Sequence, residues 1–194
     1  MEDKNLILTE LNRILVSPEK NGEISEKQRN AIEKLQLDGL KLSVIELQKE
    51  YNNKGVFFDL GILNDIRRET NQWIIKDDGT VMPRKGSNKN IWYDSKSFDA
   101  IIPVSIKNKN FTLFFILKGT QNDAGQQGDV KAEIGRYSKQ IQKNKDEFYH
   151  FIFQLDGTFL NKDIDLLDIS EKYDISTTEN IKNTIETFIN KNLI

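Results

Sequence analysis

In 194 residues the chain carries 28 Lys and Arg against 30 Asp and Glu, a net charge of −2, and 37% of it is hydrophobic. That length suits one domain with a substantial core, and the balanced charge gives no global basic signature for nucleic acid, so any such surface has to be local. The lack of cysteine excludes disulfides and thiolate metal sites, and a single histidine leaves no material for a histidine-based metal cluster or a Ser-His-Asp triad.

The start, Met1-Glu-Asp-Lys-Asn5, has neither the basic residues nor the apolar stretch of a signal peptide, and no apolar run approaches membrane-spanning length. An intracellular, cytoplasmic protein with no membrane partner is the expectation. From Leu6 to Val16 the residues Leu8, Leu11, Ile14 and Leu15 fall at helical spacing, and Pro18, Asn21 and Gly22 then break the chain. Ser25-Glu-Lys-Gln28 has the form of a capping box and predicts a helix carrying Ala31, Ile32 and Leu35. After a break at Asp38-Gly39, a third helix is predicted through Leu42, Ile45 and Leu47 to Tyr51. These helices form an expected N-terminal subdomain, 1–55, in front of an α/β core, 56–194.

Within that core a helix is predicted from Leu60 to Thr70, a short strand at Trp73-Ile-Ile75, and a turn at Asp77-Asp-Gly79. Residues Met82 to Asn90 read as a polar, basic loop, with Ile91-Trp-Tyr93 leading into the next strand. Between Pro83 and Asn110 six cations face only Asp94 and Asp99, a local net charge of +4. Beyond Lys118 comes a Gly/Gln/Asp loop, then Val130, Ile134, Tyr137 and Ile141 at helical spacing. Phe148 to Leu155 reads as a central strand, Thr158 to Ile175 is ambiguous, and Ser176-Thr-Thr-Glu179 is a second capping box before a final helix with Ile181, Ile185, Phe188 and Ile189.

The chemistry concentrates between Ser97 and Tyr137. Two apolar runs, from Ser97 to Val104 and from Phe111 to Leu117, are joined by the polar turn Lys107-Asn-Lys-Asn110 and predict a β-hairpin. The first run carries Asp99 and the second ends in Lys118. An acid and an ammonium side by side on paired strands suit metal-dependent phosphodiester cleavage, the acid holding a divalent cation and the lysine positioning water or neutralising phosphate charge.

This arrangement resembles the core of the PD-(D/E)XK nuclease superfamily, to which many type II restriction endonucleases belong. The chain departs from the pattern at Phe98, where the family often has proline, and at Ile116, where it usually has a metal-binding Glu or Asp. The resemblance implies an α/β (α+β) fold with a restriction-endonuclease-like αβββαβ core and a mixed central sheet. It also implies a bacterial, Mg²⁺-dependent endodeoxyribonuclease, a hydrolase acting on double-stranded DNA within a restriction system. In some similar enzymes a glutamate on the following helix replaces the strand acid. Here that implies Glu133, so that Asp99, Glu133 and the carbonyl of Leu117 form the ligand set beside the catalytic Lys118. Glu69 is the accessory acid implied on the helix before the sheet, where its plain reading is a partner for Arg67 or Arg68.

Arg84, Lys85 and Lys89 in the basic stretch, with Trp92 and Tyr93 nearby, suit a phosphate track. Gln121, Asn122, Gln126 and Gln127 carry amides suited to base edges. A two-fold homodimer would match a palindromic site. His150 reads as a satisfied sheet histidine, and Asp123 and Asp129 as turn and cap acids. Two other readings stay open: a catalytically inactive nuclease-like DNA-binding protein that has lost the strand acid by nature or by design, and an unrelated α/β interaction protein in which Asp99 and Lys118 form an ordinary salt bridge.

Overall fold

The computed structural model describes residues 4–16, 25–60, 73–83, 95–119, 127–157 and 171–194, without the side chains at 95, 96 and 127–129. Two N-terminal helices, α1 (Lys4–Val16) and α2 (Glu26–Tyr51), lead into strand β1 (Val56–Phe58). Strands β2 (Trp73–Lys76), β3 (Val81–Pro83) and β4 (Ser95–Ser97) precede the hairpin of β5 (Ala100–Ile106) and β6 (Lys109–Gly119). Helix α3 (Gln127–Lys143), β7 (Tyr149–Asp156), β8 (Tyr173–Ser176) and α4 (Ile181–Leu193) complete the chain. The fold is therefore mixed α/β. A five-stranded mixed sheet runs β1-β5-β6-β7-β8, antiparallel as far as β6 and parallel from β6 to β8, and a smaller sheet runs β3-β2-β4.

Side chains alternate along a strand, and this sorts the core into two layers. On one face Leu113, Phe115 and Leu117 of β6 share a buried cluster with Leu40, Val44 and Leu47 of α2 and Ile181, Ile185 and Ile189 of α4. On the other face Phe114 and Ile116 pack with Phe98, Phe151 and Phe153, and with Ile134, Tyr137 and Ile141 of α3. Lys118 follows Phe114 and Ile116 by twos, so it leaves the strand towards α3. The hairpin turns through Lys107 (φ 48°) and Asn108 (φ 66°), two successive left-handed residues that match the twist of the flanking strands. That turn fixes the register in which Ala100 opposes Phe115, and the amide of Asp99 continues the ladder to the carbonyl of Phe115 at 2.9 Å.

Several expected elements are present: the hairpin, the apolar stripe of α3, the central strand β7 and the capping box at Ser25, where Ser25 Oγ accepts from the Gln28 amide and Gln28 Oε1 from the Ser25 amide. Others differ. The break expected at Asp38-Gly39 is absent, and α2 is one 26-residue helix. A Cβ at Gly39 would lie 2.6 Å from the Thr178 methyl, so the glycine serves a close approach rather than a stop. The capping box expected at Ser176 does not form. Ser176 is the last residue of β8, its Oγ accepts from Thr184 Oγ1 at 2.8 Å, and the helix begins only at Ile181. The strand at Trp73 exists but lies in the small sheet, and the main sheet takes Val56–Phe58 as its first edge. Gln48 of α2 completes that edge, accepting from the Phe58 amide at 2.7 Å and donating to the Val56 carbonyl at 3.0 Å. Near the boundary expected at residue 55, the second half of α2 shares its buried cluster with the sheet and α4, and Tyr51 Oη donates to Glu186 at 2.7 Å. The helix expected from Leu60 to Thr70 lies outside the described residues apart from its first residue.

Alanine is intrinsically favoured over glycine in a helix interior by about 1 kcal/mol. At position 39 the Thr178 methyl reverses that sign. Gly39→Ala is expected to lower the urea midpoint of unfolding, and Gly39→Ala/Thr178→Ser, which removes the methyl, to recover it. A rise in midpoint for Gly39→Ala alone would show that the contact is not tight.

Candidate active site

Asp99 ends the extended stretch before β5, and its carboxylate Oδ2 accepts the Leu117 amide at 2.8 Å. Part of the residue stays accessible, yet its carboxyl is desolvated. Burial raises its pKa to about 6, against the opposing pull of the Lys118 ammonium and the Leu117 amide, while Glu33 and Glu133 push it further up. Lys118 Nζ lies 3.2 Å from Glu133 Oε2, with both side chains about three-quarters removed from solvent. Desolvation would lower the Lys118 pKa, but the charges of Asp99 and Glu133, the hydrogen bond to Glu133 and the charge of Glu33 outweigh it, so the net shift is upward. Lys118 is thus an ammonium at neutral pH, a donor and not a base.

Tyr137 stands one helical turn from Glu133, and its hydroxyl donates to the Ser97 carbonyl just before Asp99. Burial, followed by the charges of Asp99 and Glu133, raises its pKa well above the ordinary value, so the phenol stays protonated. Helix α3 is held in place from below. Arg136 and Gln140 bind Asp77 Oδ1 at 3.1 and 2.7 Å, and Asn144 donates to the Gly79 carbonyl at 2.8 Å. The small sheet that leads into Asp99 is thereby tied to the helix that carries Glu133.

Of the residues expected from sequence, the structure brings Asp99, Leu117, Lys118 and Glu133 together. Gln127 is the first residue of α3, and its side chain is not described. Glu69, Arg84, Lys85, Lys89, Gln121, Asn122 and Gln126 lie outside the described residues. His150 is a satisfied sheet histidine, its Nε2 2.8 Å from Asp174 Oδ2 and its ring stacked on Phe188. Sequence reasoning missed Glu33. It lies on α2, half-buried, and its charge reaches both Asp99 and Lys118. A polar residue such as Gln36, standing among Ile32 and Leu40 on the buried stripe of α2, was the available signal that this helix meets the site.

The donors are chemically suited to a hard cation. Among the described residues no three His, Cys, Asp or Glu side chains converge as metal ligands. Mg²⁺, however, is typically held by one or two carboxylates plus waters and substrate phosphate, not by an all-protein cage. Asp99 and Glu133 supply two carboxylates. Backbone groups of one strand residue leave on the same edge, so the Leu117 carbonyl lies on the edge from which its amide reaches Asp99. Two cavities among the described residues lie elsewhere: one of about 430 Å³ between α1 and Asp156, and one of about 530 Å³ beside His150. No family model, curated protein or solved structure matches the chain.

Asp99 binds a proton more tightly in the folded chain than in the unfolded one. Its contribution to stability is therefore complete below the ordinary carboxylate pKa and is lost as pH rises through about 6. Asp99→Asn keeps an oxygen for the Leu117 amide and removes the charge. It is expected to match wild type near pH 4 and to exceed it above pH 6, by on the order of 1 kcal/mol after allowance for partial exposure. Urea unfolding at the two pH values checks this. Equal stability at both would mean the carboxylate carries no burial penalty.

Proposed function

We propose that the chain is a Mg²⁺-dependent endodeoxyribonuclease of the restriction-endonuclease-like kind. The observation that carries this reading is the meeting of Asp99, Lys118 and Glu133: a buried acid, an ammonium and a helix carboxylate at one end of the central strand. The order α2, β1, β5, β6, α3, β7 supports it, being helix, three antiparallel strands, helix and a parallel strand.

Asp99, Glu133 and the Leu117 carbonyl would hold Mg²⁺, which when bound polarises the phosphate and lowers the pKa of its water. Asp99 must be ionised for this, so protons and Mg²⁺ compete for it and more Mg²⁺ is needed as pH falls below about 6. Lys118, charged throughout that range, donates to the attacking water or to a phosphate oxygen and offsets charge gathering there. Tyr137 and the Leu117 amide hold the Asp99 segment still. Water adds to phosphorus and one P–O bond to sugar breaks, leaving a phosphomonoester and a free hydroxyl.

The second reading, a nuclease-like protein that binds DNA without cutting it, is favoured by Ile116. That residue is fully buried in the cluster facing α3, on the strand face where an acid would point at the site. Supercoiled plasmid with Mg²⁺ separates the two. The nuclease reading expects cutting by wild type, a loss of about a hundredfold or more in Asp99→Ala, Lys118→Ala and Glu133→Ala, and, at limiting Mg²⁺, a rate that climbs between about pH 5 and 7. The second reading expects an inert wild type and activity created by Ile116→Glu. Wild-type rates in all three alanine variants would remove the cluster from the chemistry.

The partner class has its own test. Arg84→Ala/Lys85→Ala is expected to weaken binding to all duplex sequences alike and to lower the slope of log K against log salt by about 2, roughly one per lost phosphate contact. An unchanged slope would assign both cations to solvated surface.

A further inference from the structure

Lys118 is held at its backbone as well as at its ammonium. Gln36 of α2, 1% exposed, sends its amide nitrogen into the gap between the ends of β6 and β7. There it lies 3.0 Å from the Lys118 carbonyl, 3.3 Å from the Gln154 carbonyl and 2.7 Å from Asp156 Oδ2. The remaining contacts close a loop. Thr178 donates to Asp156 from its amide at 3.0 Å and from its hydroxyl at 2.7 Å, and Gln154 Nε2 donates to the Gln36 carbonyl at 3.1 Å and to Thr178 Oγ1 at 2.7 Å. Gln154, Asp156 and Thr178 are all buried. Gly119, the next residue of β6, admits no side chain, because a Cβ there would lie 2.4 Å from Ile32 of α2. The helix thus holds the strand end at the lysine's carbonyl and at the residue after it, and Glu33 sits one turn from Gln36 on that helix.

We propose that Gln36 is a positioning residue, which clamps α2 to the ends of β6 and β7 so that Lys118 and Glu33 are held as one unit against Asp99 and Glu133. The role assigned to the cluster rests on the nuclease reading, but the clamp itself is a statement about where Lys118 sits. A longer network of pure structural value would be indifferent to the lysine. This one includes its carbonyl, and Gln36 reaches that carbonyl with the same nitrogen that binds Asp156, so the lysine and the buried carboxylate share a donor.

The test uses the full-length protein without DNA or metal and reads how firmly the Lys118 ammonium is held against Glu133, 3.2 Å away, from its ¹H–¹⁵N NMR order parameter. Gln36→Met keeps the length and shape of the side chain and removes the donor. As Lys118 drifts, the order parameter of its Nζ is expected to fall by about a third or more. Thr178→Val is the control, since it loses a donor to Asp156 but does not touch Lys118, and there the order parameter is expected to stay within about a tenth of wild type. If Gln36→Met does not fold, Gln36→Met/Asp156→Asn, which removes the buried carboxylate together with its donor, is read by the same criterion. A folded Gln36 variant with an unmoved Lys118 order parameter overturns the proposal, as does an equal fall in Thr178→Val. On plasmid DNA, Gln36→Met is expected to lower kcat about tenfold with KM unchanged. A change confined to KM would assign Gln36 to DNA binding and overturn the positioning role. An inert wild type with the predicted fall in order parameter would sink the nuclease reading and leave the clamp standing.

Discussion

A carboxylate buried at the end of an apolar strand sets the terms for everything around it. Asp99 continues into a run of Ala, Ile and Val, where an unpartnered charge is costly. The Leu117 amide meets one oxygen, and the Lys118 ammonium supplies the opposing charge, both delivered by the register of a single hairpin. Lys118 is itself desolvated, which calls for further carboxylates, and Glu133 from α3 and Glu33 from α2 supply them. Each added acid then raises Asp99 again. Three separate elements are fixed against the strand end, and together they keep an acid titrating at about 6 in a partly desolvated setting. Such tuning is more often found at sites that do chemistry than in structural ion pairs.

The two-residue period of β6 explains how one strand can serve a core and a site. Its odd positions feed the layer beneath α2 and α4, and its even positions feed the layer beneath α3. Lys118 is the first even position past the aromatic packing, where the strand runs out of apolar cover. The helices on the two faces reach the same point from opposite sides. This is why acids from α2 and α3, on different layers, act on one lysine.

What was legible in the sequence was what depends on near neighbours. The hairpin turn, the stripe of Val130, Ile134, Tyr137 and Ile141, and the Ser25 box each follow from residues within a few positions of one another. The acid on α3 was reachable only through the family resemblance, and the structure places it against Lys118. The errors all have distant causes. Gly39 looks like a stop unless the methyl of Thr178 is known to lie against it. Ser176 looks like a cap unless β8 is known to run through it, paired with Gln154 of β7. The three residues of β1 are too few for periodicity, and what completes their edge is a glutamine on α2. Glu33 was passed over for the same reason: the false break at Gly39 hid that one continuous helix carries its first half past the end of β6 and its second half into the core.

Ile116 puts a physical limit on where the second carboxylate can be. It is fully buried, opposite Asp99 across the hairpin and in one cluster with Phe98, Phe114 and Phe151. An acid there would enter a fully buried layer, with Lys118 two residues on along the strand. Glu133 reaches the same ammonium from a helix face that keeps about a quarter of its side chain in solvent. Moving the acid from strand to helix therefore exchanges a fully desolvated carboxylate for a partly hydrated one and leaves the aromatic packing around Asp99 intact. The exchange is favourable on stability grounds before any catalytic argument is made. It also makes Glu133 dependent on the placement of α3, which the Asp77 and Gly79 contacts provide from the small sheet. A carboxylate carried by a helix needs that helix held rigidly beside the strand, and in this chain α3 is tied to the same small sheet that leads into Asp99.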